Sequence, residues 1–115
     1  MATEPLNDLE NQMSRREQLE SMLADDPSDT FLRYALAMEL KNEEAFPEAA
    51  ELFNGLMQDG TPYVPAFFMY GQQLVQEGEI EQAQTILKQG IEQAHQQNDL
   101  HAAGEMSEFL ASISD

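Results

Sequence analysis

The chain has 115 residues, room for one domain with a modest core, and its 22 Asp and Glu against 5 Lys and Arg give a net charge of −17. A surface of that sign repels nucleic-acid phosphate and anionic lipid, which excludes nucleic acid and membranes as partners and favours basic surfaces. With no cysteine, disulfides, thiolate catalysis and cysteine metal sites are excluded as well. The start, Met1-Ala2-Thr3-Glu4-Pro5, has neither the basic residues nor the apolar stretch of a signal peptide. No run of about 18 apolar residues occurs, so the expected location is cytoplasmic.

Apolar residues recur at helical spacing in six segments, with no strand-like alternation between them. The first, Leu6 to Ala24, carries Leu6, Leu9, Met13, Leu19, Met22 and Leu23. After Asp25-Asp26-Pro27-Ser28 the second runs from Asp29 to Lys41, with Ser28 or Asp29 as its cap. The third, Phe46 to Asp59, starts with Pro47 in its first turn, where a missing N–H costs little. Gly60 is expected to supply a left-handed residue after it. The fourth, Val64 to Glu77, repeats the device with Pro65 in front and Gly78 behind. The fifth covers Ile80 to Gln97, and the sixth, Leu100 to Ser114, follows Asp99 as its cap. Connections this short force consecutive helices to lie antiparallel. The fold class is therefore all-α.

The two central helix pairs repeat one another. One reads Phe67-x2-Tyr70-Gly71-x2-Leu74, then Gly78, then Ala83-x3-Leu87; the other reads Phe31-x2-Tyr34-Ala35-x2-Met38, then Ala49-x3-Phe53. Ala49 and Ala83 lie 34 residues apart, whereas Phe31 and Phe67 lie 36 apart, so the first pair is expected to have a loop two residues longer. This pattern resembles the tetratricopeptide repeat, W-x2-L-G-x2-Y followed by A-x3-F and P. Phe stands in place of Trp in both units, Tyr in place of Leu, and Leu74 or Met38 in place of Tyr. The resemblance implies a right-handed stack of about six antiparallel helices, an α-α superhelix, in a single domain over residues 1–115. Its parts would be an N-terminal capping helix (6–27), repeat one (29–62), repeat two (64–97) and a C-terminal capping helix (99–114).

Chemistry is hard to place on this chain. The two histidines, His95 and His101, are six residues apart across a predicted break, which is not a helical ligand spacing. Neighbouring carboxylates such as Glu43-Glu44 are what so acidic a composition produces unaided. No phosphate-cradling glycine loop, calcium loop or nucleophile motif occurs. The expectation is a protein that is not an enzyme and uses no metal or cofactor.

Helix four is more informative. Its run Phe67-Phe68-Met69-Tyr70 cannot face one way, because successive residues turn by about 100°. If Phe67 and Tyr70 face the core, then Phe68, Gln72 and Val75 face elsewhere. The resemblance places that face on the concave surface of the array, and with the spacing of 36 its counterpart is Leu32, Leu36 and Glu39. The candidate partner-binding groove is thus Leu32, Leu36, Glu39, Phe68, Gln72 and Val75. In an array of two units, helix one, helix six or a second copy could cover the same strip. A clamp for a C-terminal carboxylate, used by some tetratricopeptide proteins, is not expected, because this face carries no cation. The functional expectation is a protein-interaction module acting as adaptor, scaffold or regulator. Its partner would be another protein with a basic or amphipathic helical surface, and its own state monomeric or weakly dimeric. The alternative is a chaperone-like protein shielding an apolar client segment.

Overall fold

The structure is a computed structural model that describes residues 14–114, and these form six α-helices and no strand. They are α1 (Arg15–Asp25), α2 (Thr30–Asn42), α3 (Phe46–Met57), α4 (Val64–Gln76), α5 (Ile80–Gln96) and α6 (Leu100–Ser112). The expected six helices are present within a few residues at each end, apart from the first. There Ser14 has extended backbone and caps α1: its hydroxyl accepts from the Glu17 amide, while the Glu17 carboxylate accepts from the Ser14 N–H. The described part of the first segment is thus helical from Arg15 onward; Leu6, Leu9 and Met13 lie outside the described residues.

The caps act as the residue types demand. Asp29 accepts from the Leu32 amide and Asp99 from the Ala102 amide, while Pro47 and Pro65 sit in first turns. Three connections share one C-terminal geometry. Glu44, Gly78 and Asn98 are all left-handed, with φ of 63°, 82° and 61°. The residue after each donates back to the last buried turn: Ala45 to Leu40, Glu79 to Leu74 and Asp99 to Ala94, at 2.8, 2.8 and 2.7 Å. This is the Schellman arrangement, which satisfies carbonyls a helix end would otherwise orphan. Gly60 is not left-handed. The α3–α4 connection closes through the Tyr63 amide and the Leu56 carbonyl instead.

Successive helices pack in antiparallel pairs, and α4 also touches α2 and α6. Among the described residues α1, α3 and α5 do not meet one another. The stack is thus tighter on the α2/α4/α6 side, which is its concave face. Its centre is the α4–α5–α6 junction. Gly90 of α5 approaches so closely that a Cβ there would lie 2.5 Å from the Phe67 Cβ and 2.7 Å from the Met106 sulfur.

Burial corrects the repeat register. Leu36, Ala37 and Leu40 are buried, as are Tyr70, Gly71 and Leu74, and each pair is 34 residues apart. Ala49 and Ala83, Phe53 and Leu87, and the left-handed Glu44 and Gly78 keep the same spacing. No loop is longer by two residues. Phe31, aligned above with Phe67, is 68% exposed, and the residue in register with Phe67 is Arg33. The Arg33 guanidinium turns to Asp59, donating to both carboxylate oxygens at 3.2 and 2.7 Å.

Candidate functional site

A two-residue error of register turns a helix face by about 200°. Leu32 and Leu36 accordingly belong to the core, at 8% and 6% exposure. Glu39 faces α1, with Arg15 3.9 Å away. Phe68, Gln72 and Val75 are half-buried on α4. With the spacing of 34, their counterparts on α2 are Tyr34, Met38 and Lys41. Of the six residues expected to form the groove, Phe68 alone lines the hollows of the concave face.

Those hollows are built by three helices. Tyr34 comes from α2, and its ring meets Tyr63 edge-on at 5.2 Å. Burial pushes the Tyr34 hydroxyl above its ordinary value, with a smaller contribution from Tyr63. From α4 come Val64 and Pro65 in the first turn, then Phe68 and Met69 one turn on. From α6 come Ala102, Glu105 and Met106. Together they enclose about 320 Å³. A second hollow of about 330 Å³ continues toward the end of α6 between Phe68, Glu105, Glu108, Phe109 and Ser112. The two share Phe68 and Glu105, so they form one groove: apolar and aromatic at the floor, carboxylate at the edge. Phe68 and Phe109 meet edge-on at 5.7 Å with their planes 61° apart. No lysine, arginine or histidine lines either hollow.

Tyr34, Glu105 and Phe109 were missed by the sequence reading. A constant spacing of 34 would have carried Phe68 to Tyr34. For α6 no such signal existed, because its buried pattern is displaced: Met106 matches Tyr70 at 36 residues, after a fifth helix longer than the third.

A third hollow, of about 270 Å³, opens on the opposite side between α3 and α5. Asn54, Gln58, Gln89 and Gln93 surround a floor of Met57, Phe67 and Ile86. Among the described residues no group of three His, Asp or Glu side chains could hold a metal ion. His101 pairs only with Glu105, at 3.5 Å, on the exposed side of α6.

Residues 40–105 match the family model described as Tetratricopeptide repeat. The chain belongs to the tetratricopeptide repeat family. A solved relative, the solution structure of a protein from Bordetella parapertussis, is 25% identical and superposes with a TM-score of 0.76. The alignment covers 89% of this chain and 89% of that one, so nearly the whole stack is shared. No curated protein matches the sequence. Tetratricopeptide repeats are interaction modules that bind other proteins, and the fold is typically non-enzymatic. Among the described residues no helix is long and apolar enough to cross a membrane.

Proposed function

We propose that this tetratricopeptide protein docks a basic, amphipathic helical segment of another protein in the α2/α4/α6 groove. The observation that carries the reading is the groove's composition: Tyr34, Phe68, Met69 and Phe109 at the floor, Glu105 and Glu108 at the edge, and no cation. An apolar floor accepts the hydrophobic stripe of a helix, as in other helix-in-groove complexes. Gln72 and Val75, half-buried on α4, extend the surface along that helix. The net charge of −17 accelerates encounter with a basic partner, and the floor sets how long the complex lasts. The role is that of an adaptor or regulator without chemistry of its own.

A peptide-display selection against the full chain tests this reading, with Phe68→Ala as the counter-target. Enriched peptides should carry basic residues beside apolar ones at spacings of three and four. They should bind the variant about tenfold more weakly, a loss of about 1.4 kcal/mol. Their on-rates should fall as salt rises. Peptides that bind the variant equally well would remove the groove as the site. Enrichment of purely apolar sequences would favour a client-shielding role.

A further inference from the structure

Resting on that docking reading, we propose that the α6 end of the groove is a subsite for one arginine side chain of the partner, held between the Phe68–Phe109 ring pair and the carboxylates of Glu105 and Glu108. The four residues, with Ser112, line a single open hollow of about 330 Å³. Both rings are half-buried, so part of each is still open to a ligand. In an edge-on pair only one ring has a face covered by the other. The remaining ring surface is negative and attracts a cation placed over it.

The polar groups of the hollow are one-sided. Glu105 and Glu108 present acceptors only when ionised. The Ser112 hydroxyl already donates to the Phe109 carbonyl at 2.6 Å. The hollow therefore offers acceptors and ring faces, and a complementary ligand must be flat, apolar on its faces and rich in donors at its edge. A guanidinium meets all three conditions, because it stacks on an aromatic ring while its N–H groups pair with a carboxylate. An ammonium is a point charge that pairs without stacking. A purely apolar side chain would desolvate the two carboxylates with nothing in return.

The chain's own cations lie elsewhere: Lys41 and Lys88 line neither hollow. Arg15, Arg16 and Arg33 are committed to ion pairs with Glu39, Glu20, Glu43 and Asp59 at the other end of the stack. Glu108 has no ion-pair partner among the described residues, and Glu105 has only the exposed His101.

The test is a titration of the full chain with N-acetylarginine methylamide, followed by NMR of the phenylalanine rings. The citrulline and lysine analogues serve as controls, citrulline being the uncharged near-copy of arginine. The arginine compound should shift the Phe68 and Phe109 ring signals saturably, the lysine compound should bind about threefold more weakly, and the citrulline compound should leave the rings unmoved. The double variant Glu105→Gln, Glu108→Gln should weaken arginine binding by about tenfold. The ring-to-ring nuclear Overhauser contact of Phe68 with Phe109 should survive in that variant, showing that the hollow is intact. Equal shifts from arginine and citrulline would overturn the subsite. So would an arginine effect spread over the acidic surface without saturation at the rings, or one unchanged in the double variant. If selected peptides fill the groove without arginine and the titration is flat, the subsite falls and the docking reading stands. If the titration succeeds but no peptide requires Phe68, the reverse holds.

Discussion

Where Phe67 closes the junction of α4 with α5 and α6, Arg33 holds the same place in α2 and reaches away to Asp59 beyond the end of α3. Both pairs keep a spacing of 34 residues, yet they fill it differently. In α4–α5 the large side chain is on the first helix and the facing position of the second is Gly90, which a Cβ could not occupy undisturbed. In α2–α3 the residue in register with Gly90 is Leu56, fully buried, and the first helix contributes a guanidinium that is 16% exposed. At this position the second pair fits by shape, whereas the first adds a charged tether beside its buried Leu36, Phe53 and Leu56. The two repeats of this chain thus keep their positions, while the chemistry at one of them moves from an aromatic ring to an ion pair.

The comparison breaks most readily at Phe67. Phe67→Ala should cost about 3–5 kcal/mol, as for other buried Phe truncations, read from chemical denaturation. Its neighbour Phe68, half-buried, should cost about 1 kcal/mol in the same assay. Equal large losses would mean that the two faces of α4 are not distinct.

Gly90→Ala comes next. Its new methyl would press on the Phe67 Cβ, which moves only with the backbone. Overpacking of about 1–3 kcal/mol should therefore outweigh the gain in helix propensity of about 1 kcal/mol. Gly71→Ala meets the Leu87 side chain instead, and Ala37 already occupies that register in α2. It should change stability by no more than about 1 kcal/mol in either direction. A Gly71 variant more damaged than the Gly90 variant would move the tight junction to the wrong helix crossing.

The turns allow a gain. Glu44 and Gly78 share the left-handed conformation, but only glycine adopts it freely. Glu44→Gly should raise stability by about 0.5–1 kcal/mol, after allowing for the extra freedom of glycine in the unfolded chain. An unchanged or lower melting temperature would show that the turn of the first pair is held by something other than its backbone.

The charged tether gives the finest test. Hydrogen bonds from Arg33, aided by its charge and opposed by burial, hold the Asp59 carboxyl below the ordinary carboxylate range. A depressed folded value means that the unfolded chain binds the proton first as pH falls. The tether's contribution is therefore present above about pH 4 and lost as pH drops through the folded value. The stability gap between the wild type and Asp59→Asn should be widest at neutral pH and narrow in acid. A gap independent of pH would mean that the pair does not tie the helices.

Helices, caps and the family were legible in the sequence because each rests on local chemistry. Asp29, Asp99, Pro47 and Pro65 act where their side chains and missing N–H groups require. The face of α2 was not legible, because two aromatic residues, Phe31 and Phe67, suggested a spacing of 36 while the actual equivalent of Phe67 is an arginine. Identity misled where position would not have: Ala37 and Gly71, like Ala49 and Ala83, are 34 apart. That shift placed Leu32 and Leu36 on the groove and hid Tyr34. The left-handed Glu44 was also invisible, since nothing in an exposed Glu marks such a turn. The extent of α5 and the start of α6 were legible, but not which face of α6 meets α4, because α6 falls 36 residues after α4 rather than 34.

The order of the helix contacts shapes how the chain folds. Each helix packs on its neighbour in sequence or the next but one, and α1 and α6 never meet. Nearly every contact therefore closes a short stretch of chain, the topology associated with fast folding. A stack coupled only to its neighbours can nucleate at one hairpin and spread both ways. The α4–α5 pair, with the tightest crossing, is the natural starting point. Among the described helices α1, which packs on α2 alone, would then open first in hydrogen exchange, whereas buried Met106 ties α6 to the junction. The arginine subsite, which begins beside Met106, would thus lie next to the part of the molecule that forms first.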